Sequence, residues 1–119
     1  MGGLARVTAF VADEKAKAKV QGKAVLALDA GDFWQGTHFF RTGGMPWARE
    51  AMRRMPWDAV TLGNHEFDLG CETLAQYVKA LPFPVLAANL EKNPACPLST
   101  TPLPATVVKD FGDVKVGII

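Results

Sequence analysis

The chain has 119 residues, of which 49% are hydrophobic and 21% charged, with a formal net charge of +1. This length suits one domain or part of one and falls short of two independent cores. The near-neutral balance argues against a nucleic acid polymer or a bare membrane surface as partner.

In chain order, Leu4, Val7 and Val11 recur at helical spacing ahead of the solvated "DEKAKAKVQGK" and predict an amphipathic helix broken at Gly22. "AVLALDAGD" is continuously apolar rather than alternating, which predicts a fully buried strand stopping at Gly31. A loop rich in glycine and aromatics follows. Ala48, Ala51, Met52 and Met55 mark a second helix closing at Pro56, and "WDAVTL" predicts a second buried strand. Leu74, Tyr77, Val78 and Leu81 mark a third helix ending before Pro82, and "FPVLAANL" a third strand.

From the first strand on, the pattern is βαβαβ, an α/β fold with a parallel sheet, right-handed crossovers and helices on its faces. "EKNPACPLSTTPLP" holds four of the eight prolines and is expected as an irregular excursion over the surface. "ATVVKDF" and "VKVGII" around a "GD" turn predict a β-hairpin. The chain stops at Ile119 within an apolar strand pattern, so an incomplete domain is expected.

No apolar run reaches the roughly 20 residues that span a bilayer, so no transmembrane segment is expected. "MGGLARVTAF" has no basic region, apolar core and cleavage site, so no signal peptide is expected in this chain. Cys71 and Cys96 lack C-x-x-C spacing and a nearby histidine set. A pair is open to any secreted chain, but the expectation here is one packed and one exposed thiol.

Ligands of parallel α/β sheets bind at the carboxyl ends of the strands. Two strands end in polar clusters, "LDAGDFWQG" and "LGNHEFDLG", on the same edge of the sheet. Asp32, Asn64 and His65 offer a carboxylate, an amide oxygen and an imidazole, donors suited to hard or borderline divalent cations. A carboxylate such as Asp32 can bridge two ions about 3.5 to 4 Å apart, the arrangement that clamps a phosphate. Gly31 and Gly63 are expected to let the backbone turn sharply and bring a short side chain into the site. His65 and Asp68, three residues apart, suit a general acid and the carboxylate that fixes its tautomer.

Plainer roles stand beside these. Asp32 could cap a turn, Asn64 could be a left-handed turn residue, and Asn89 could brace the site or merely end the third strand. His38, set among aromatics, is expected in a structural or surface role. Glu66 and Phe67 carry no derivable chemical role.

Taken together and in this order, "GGLAR", "LDAGDFWQGT", "LGNHEFDLG" and, more weakly, "PVLAANL" resemble the 5′-nucleotidase family of calcineurin-like dinuclear metallophosphatases. The resemblance implies a partial calcineurin-like metallophosphoesterase sandwich, with residues 1–119 forming an incomplete N-terminal catalytic domain. It implies two divalent metal ions, Zn, Mn or similar, in the complete enzyme. Hydrolysis of a nucleotide or other phosphoester would proceed by in-line attack of metal-bound hydroxide. Asp32 would bridge the ions and Asn64 ligate one of them. His65 would stabilise the transition state or protonate the leaving group, with Asp68 orienting it. Gln35 and Arg6 match motif positions and would support the site.

The family's upstream Asp-x-His pair, its downstream "GHS" and "GHxH"-like segments and its C-terminal substrate-binding domain have no counterpart in these residues. Weak metal binding and little or no phosphatase activity are therefore expected of this chain alone. Cyclic nucleotides, nucleotide sugars or a thiosulfate-carrier sulfonate are alternative substrates within the fold, and a noncatalytic binding module or a decayed gene product is the alternative of another class. By resemblance the complete protein works in the periplasm or outside the cell.

Overall fold

A computed structural model describes residues 3–36 and 38–119. Gly2 and Thr37, which complete two of the motifs above, lie outside the described residues.

Helix α1 (Leu4–Val20) leads into strand β1 (Leu28–Asp29), helix α2 (His38–Arg53), strand β2 (Ala59–Thr61), helix α3 (Gly70–Ala80) and strand β3 (Val85–Leu86). The three strands form one parallel sheet in the order β1-β2-β3, with Leu28 opposite Ala59, Asp29 opposite Val60 and Thr61 opposite Leu86. A separate antiparallel hairpin follows, β4 (Val107–Asp110) and β5 (Lys115–Ile118). The βαβαβ order with a terminal hairpin is the one the apolar pattern predicts.

The paired parts of the strands are shorter than their apolar runs. In "AVLALDAGD" only Leu28 and Asp29 pair, and Leu28 is 46% exposed. The physical reason is position: β1 is an edge of the sheet and has one neighbour among the described residues, so its apolar residues are not covered on both sides. α2 begins earlier than expected, at His38, and its helical backbone is interrupted at Gly44 (φ 55°) just before Pro46, so that it consists of two helical pieces joined at a kink.

The core lies between the sheet and α2 and α3. Trp34, Met52, Val60, Leu74, Tyr77 and Val85 are buried there. α3 turns Leu74, Ala75, Tyr77 and Val78 inward at i, i+1, i+3 and i+4, as a helix laid on a sheet must. α1 buries only Ala18. It is tied to the rest by the Lys15–Asp58 ion pair (2.7 Å) and by Thr8 Oγ1, which lies 2.9 Å from the Met55 sulfur.

The proline-rich segment is irregular except for a 3-10 turn, Pro97–Thr100, but it is no surface excursion. Cys96, Leu98, Thr101 and Leu103 are buried, and the Ala87 amide donates to the Pro104 carbonyl (3.1 Å). Prolines remove ladder donors and forbid regular structure, yet they leave alternate side chains free to turn inward. The expectation of two unpaired thiols is also overturned: Cys71, at the start of α3, and Cys96 form a disulfide that fastens this segment to the helix. Among the described residues no helix is long and apolar enough to cross a membrane.

Candidate active site

Because β1 and β2 are parallel neighbours, the loops that follow them leave the same edge of the sheet. The first loop carries Gly31, Asp32 and Gln35, and the second carries Gly63, Asn64, His65, Glu66 and Asp68. Their approach is so close that side chains are excluded from both facing glycines. A Cβ on Gly31 would run into the Gly63 amide nitrogen, and one on Gly63 into the Asp32 carboxylate. Gly31 also needs its positive φ of 89°. Gly63 is not among the positive-φ residues, so its requirement is space rather than the sharp turn expected of it.

Asp32 itself adopts φ 59° and Gln35 φ 74°, left-handed conformations that are uncommon for residues other than glycine, aspartate tolerating them better than glutamine. The local cap in the first loop is Asp29, whose Oδ1 accepts from the Gly31 amide (2.9 Å), whereas Asp32 Oδ1 accepts across the gap from the His65 amide (3.1 Å). Asn64 is right-handed (φ −72°), so a left-handed turn does not account for it.

Residues His65–Phe67 form a 3-10 turn. With three residues per turn, positions i and i+3 eclipse, which brings Asp68 Oδ2 to 2.8 Å from His65 Nδ1. That hydrogen bond, with the charges of Asp68, Asp32 and Glu66, raises the His65 pKa above its ordinary 6.5. The imidazole therefore keeps its proton to higher pH than a free histidine. Asp29 is also raised, chiefly by burial, which outweighs the Gly31 amide bond that favours its charged form.

The residue that sequence reasoning left without a role has the most connections. Glu66 is 2% exposed. Its Oε2 accepts from the amides of Asp32 (2.8 Å) and Gly63 (2.7 Å), and its Oε1 from that of Trp34 (3.1 Å). Trp34 is buried against Phe40, stacked at 6.2 Å, and against Tyr77, edge-on at 5.2 Å, which anchors the first loop to α2 and α3.

Two clefts flank the joined loops. One, of about 430 Å³, includes Asn64, Asn89, Thr61 and Phe67, so Asn89 shares a surface with Asn64. The other, of about 540 Å³ and mainly apolar, includes Asp32, Gln35, Phe33, Phe39 and Leu4. Arg6 is exposed on the first turn of α1 and lines neither. His38 is exposed at the start of α2.

Asp32 and Asn64 are oxygen donors of the kind a divalent cation takes. In number they are short of a shell: among the described residues no three His, Cys, Asp or Glu side chains gather into a metal-holding group. The fit is right in kind and partial in extent.

A GD loop pressed against a GNHE loop at the carboxyl edge of a parallel sheet defines the class of calcineurin-like metallophosphatases. Human 5′-nucleotidase is 40% identical over 122 residues, covering all of this chain and 20% of that protein. An apyrase of Anopheles gambiae is 37% identical over 124 residues, again covering all of this chain and 21% of its own length. The solved structure of a 5′-nucleotidase precursor from Thermus thermophilus superposes with a TM-score of 0.78 at 37% identity, over 99% of this chain and 22% of that one. The chain belongs to the 5′-nucleotidase family. It spans about a fifth of the length of these curated relatives. No protein-family profile matches the chain.

Proposed function

We propose that residues 1–119 form part of the catalytic domain of a metal-dependent phosphohydrolase that acts on nucleotides, with nucleoside recognition left to a separate domain. The observation that carries the reading is the joining of two loops that set Asp32 opposite the His65–Asp68 pair. The names of the relatives, 5′-nucleotidase and apyrase, support a nucleotide as substrate.

Asp32 and Asn64 would contribute oxygen ligands to divalent cations. When bound, such cations polarise a phosphoryl oxygen and lower the pKa of water. His65, with Nδ1 engaged by Asp68, keeps Nε2 for a phosphoryl or leaving-group oxygen. Its raised pKa favours the protonated form that donates there. Asp68 fixes the ring orientation. Gln35, which shares a cleft with Asp32, and Asn89, which shares one with Asn64, would border the substrate space, while Arg6, exposed on α1 outside both clefts, has no contact among the described residues that supports a role.

Work outside the cytoplasm agrees with the Cys71–Cys96 disulfide, since such bonds persist mainly in oxidising compartments. It also agrees with a relative described as a snake venom 5′-nucleotidase.

Calorimetric titration of the chain with Mn²⁺ or Zn²⁺, alongside phosphate release from nucleoside monophosphates, tests the proposal. Weak cation binding that disappears in Asp32→Asn and in Asn64→Ala is expected, with little or no turnover by these residues alone. Binding that is indifferent to both substitutions would contradict it.

A further inference from the structure

We infer that Glu66 is a positioning residue, the group that holds Asp32 and His65 in one site; the inference rests on the phosphohydrolase reading above. A carboxylate withdrawn from water is costly unless its oxygens are satisfied. Glu66 is almost wholly buried, and the partners the structure gives it are three backbone amides, two from the loop after β1 and one from the loop after β2. Charge-assisted bonds of this kind are shorter and stronger than neutral ones, and the two on Oε2, at 2.7 and 2.8 Å, are in that range.

The bonding is reciprocal. Glu66 receives the Asp32 amide, and Asp32 Oδ1 receives the amide of His65, the residue bonded to Glu66 in the chain. The closed ring fixes the orientation of the Asp32 side chain as well as the distance between loops. It also holds Asp32 at φ 59°, an uncommon conformation that aspartate tolerates better than most side chains. The facing glycines, Gly31 and Gly63, remove the atoms that would hold the loops apart. Glu66 touches no reacting group; its effect reaches the site through Asp32 and His65.

Glu66→Gln keeps the size of the side chain but turns an NH₂ group toward amides that themselves donate. The test is residue-resolved amide exchange together with titration by Mn²⁺, on the full chain. In Glu66→Gln the amides of Asp32, Trp34 and Gly63 exchange about tenfold faster relative to those of Leu74 and Val78. The Mn²⁺ dissociation constant rises about 10- to 100-fold, the usual effect of losing a group that orients a ligand. Leu74→Ala, a core truncation, speeds exchange throughout and leaves the Mn²⁺ affinity of the folded protein unchanged, which a merely structural role for Glu66 would also do.

Glu66→Asp, which keeps the charge but withdraws the carboxylate from the first loop, serves if Glu66→Gln does not fold; it gives the same pair of changes, smaller in size. Loop amides that keep wild-type exchange, or that change only in step with the core, overturn the inference. If the wild-type chain shows no response to Mn²⁺, the phosphohydrolase reading fails. The positioning role is then decided by exchange and by the amide shift of His65: a shift that moves in Glu66→Gln supports it, and one that stays overturns it.

Discussion

Helices α1 and α3 differ in what they do for the site. α3 buries Leu74, Ala75, Tyr77 and Val78, and its Tyr77 backs Trp34, the anchor of the first site loop. α1 is longer but buries only Ala18 and leaves Phe10 65% exposed. The site is therefore held from the α3 side, through Tyr77, Trp34 and Glu66, and only bordered by α1. A helix contributes rigidity according to the apolar surface it shuts from water, whatever its length.

The sharpest way to break this contrast is Leu74→Ala, at a side chain with no exposure. Deleting its methyl groups leaves a cavity under α3 and costs on the order of 4 kcal/mol, read from urea unfolding followed by tryptophan fluorescence. Next is the paired substitution Cys71→Ser, Cys96→Ser. It releases a closure spanning 25 residues, worth roughly 3 kcal/mol in chain entropy, and a reductant titration of the wild type should reproduce the loss.

Asp58→Asn probes the tether of α1 and has a definite pH signature. Burial alone would push the Asp58 carboxyl up, but the Lys15 ammonium and the Ala27 amide outweigh it and hold the pKa below the ordinary 3.8. A depressed carboxylate stabilises the fold above its unfolded pKa and loses that contribution as pH falls through the folded one. The variant should thus be less stable than the wild type by about 1 kcal/mol or less at neutral pH, with the gap closing below pH 3.8.

For His65 the sign is opposite. Its NMR titration midpoint should lie above 6.5 and return toward that value in Asp68→Asn, with the stabilisation from the pair fully present below 6.5 and lost as pH rises through the folded midpoint. At the small end, Phe10→Ser on α1 should change stability by less than about 0.5 kcal/mol, as expected of an exposed position.

The same contrast separates what was legible in the sequence from what was not. α3 is readable because Leu74, Tyr77 and Val78 keep helical spacing and the core takes all three. The contact of His65 with Asp68 is local, a matter of three residues and one tight turn. β1 is over-read, because an apolar run reports the capacity for burial while an edge position limits its realisation. Glu66 is illegible for a different reason: a glutamate in a polar loop looks solvated, and its amide partners at Asp32 and Trp34 lie over thirty residues away. The Cys71–Cys96 bond and the inward turn of Leu98 and Leu103 are likewise products of the fold rather than of any local window.

If, as proposed, the loops after β1 and β2 form one cation-binding phosphate site, Mn²⁺ should broaden ¹⁵N-resolved amides at Asp32, Asn64 and His65 together and leave the β4–β5 hairpin untouched. Broadening scattered over surface carboxylates, or confined to one of the two loops, would contradict it.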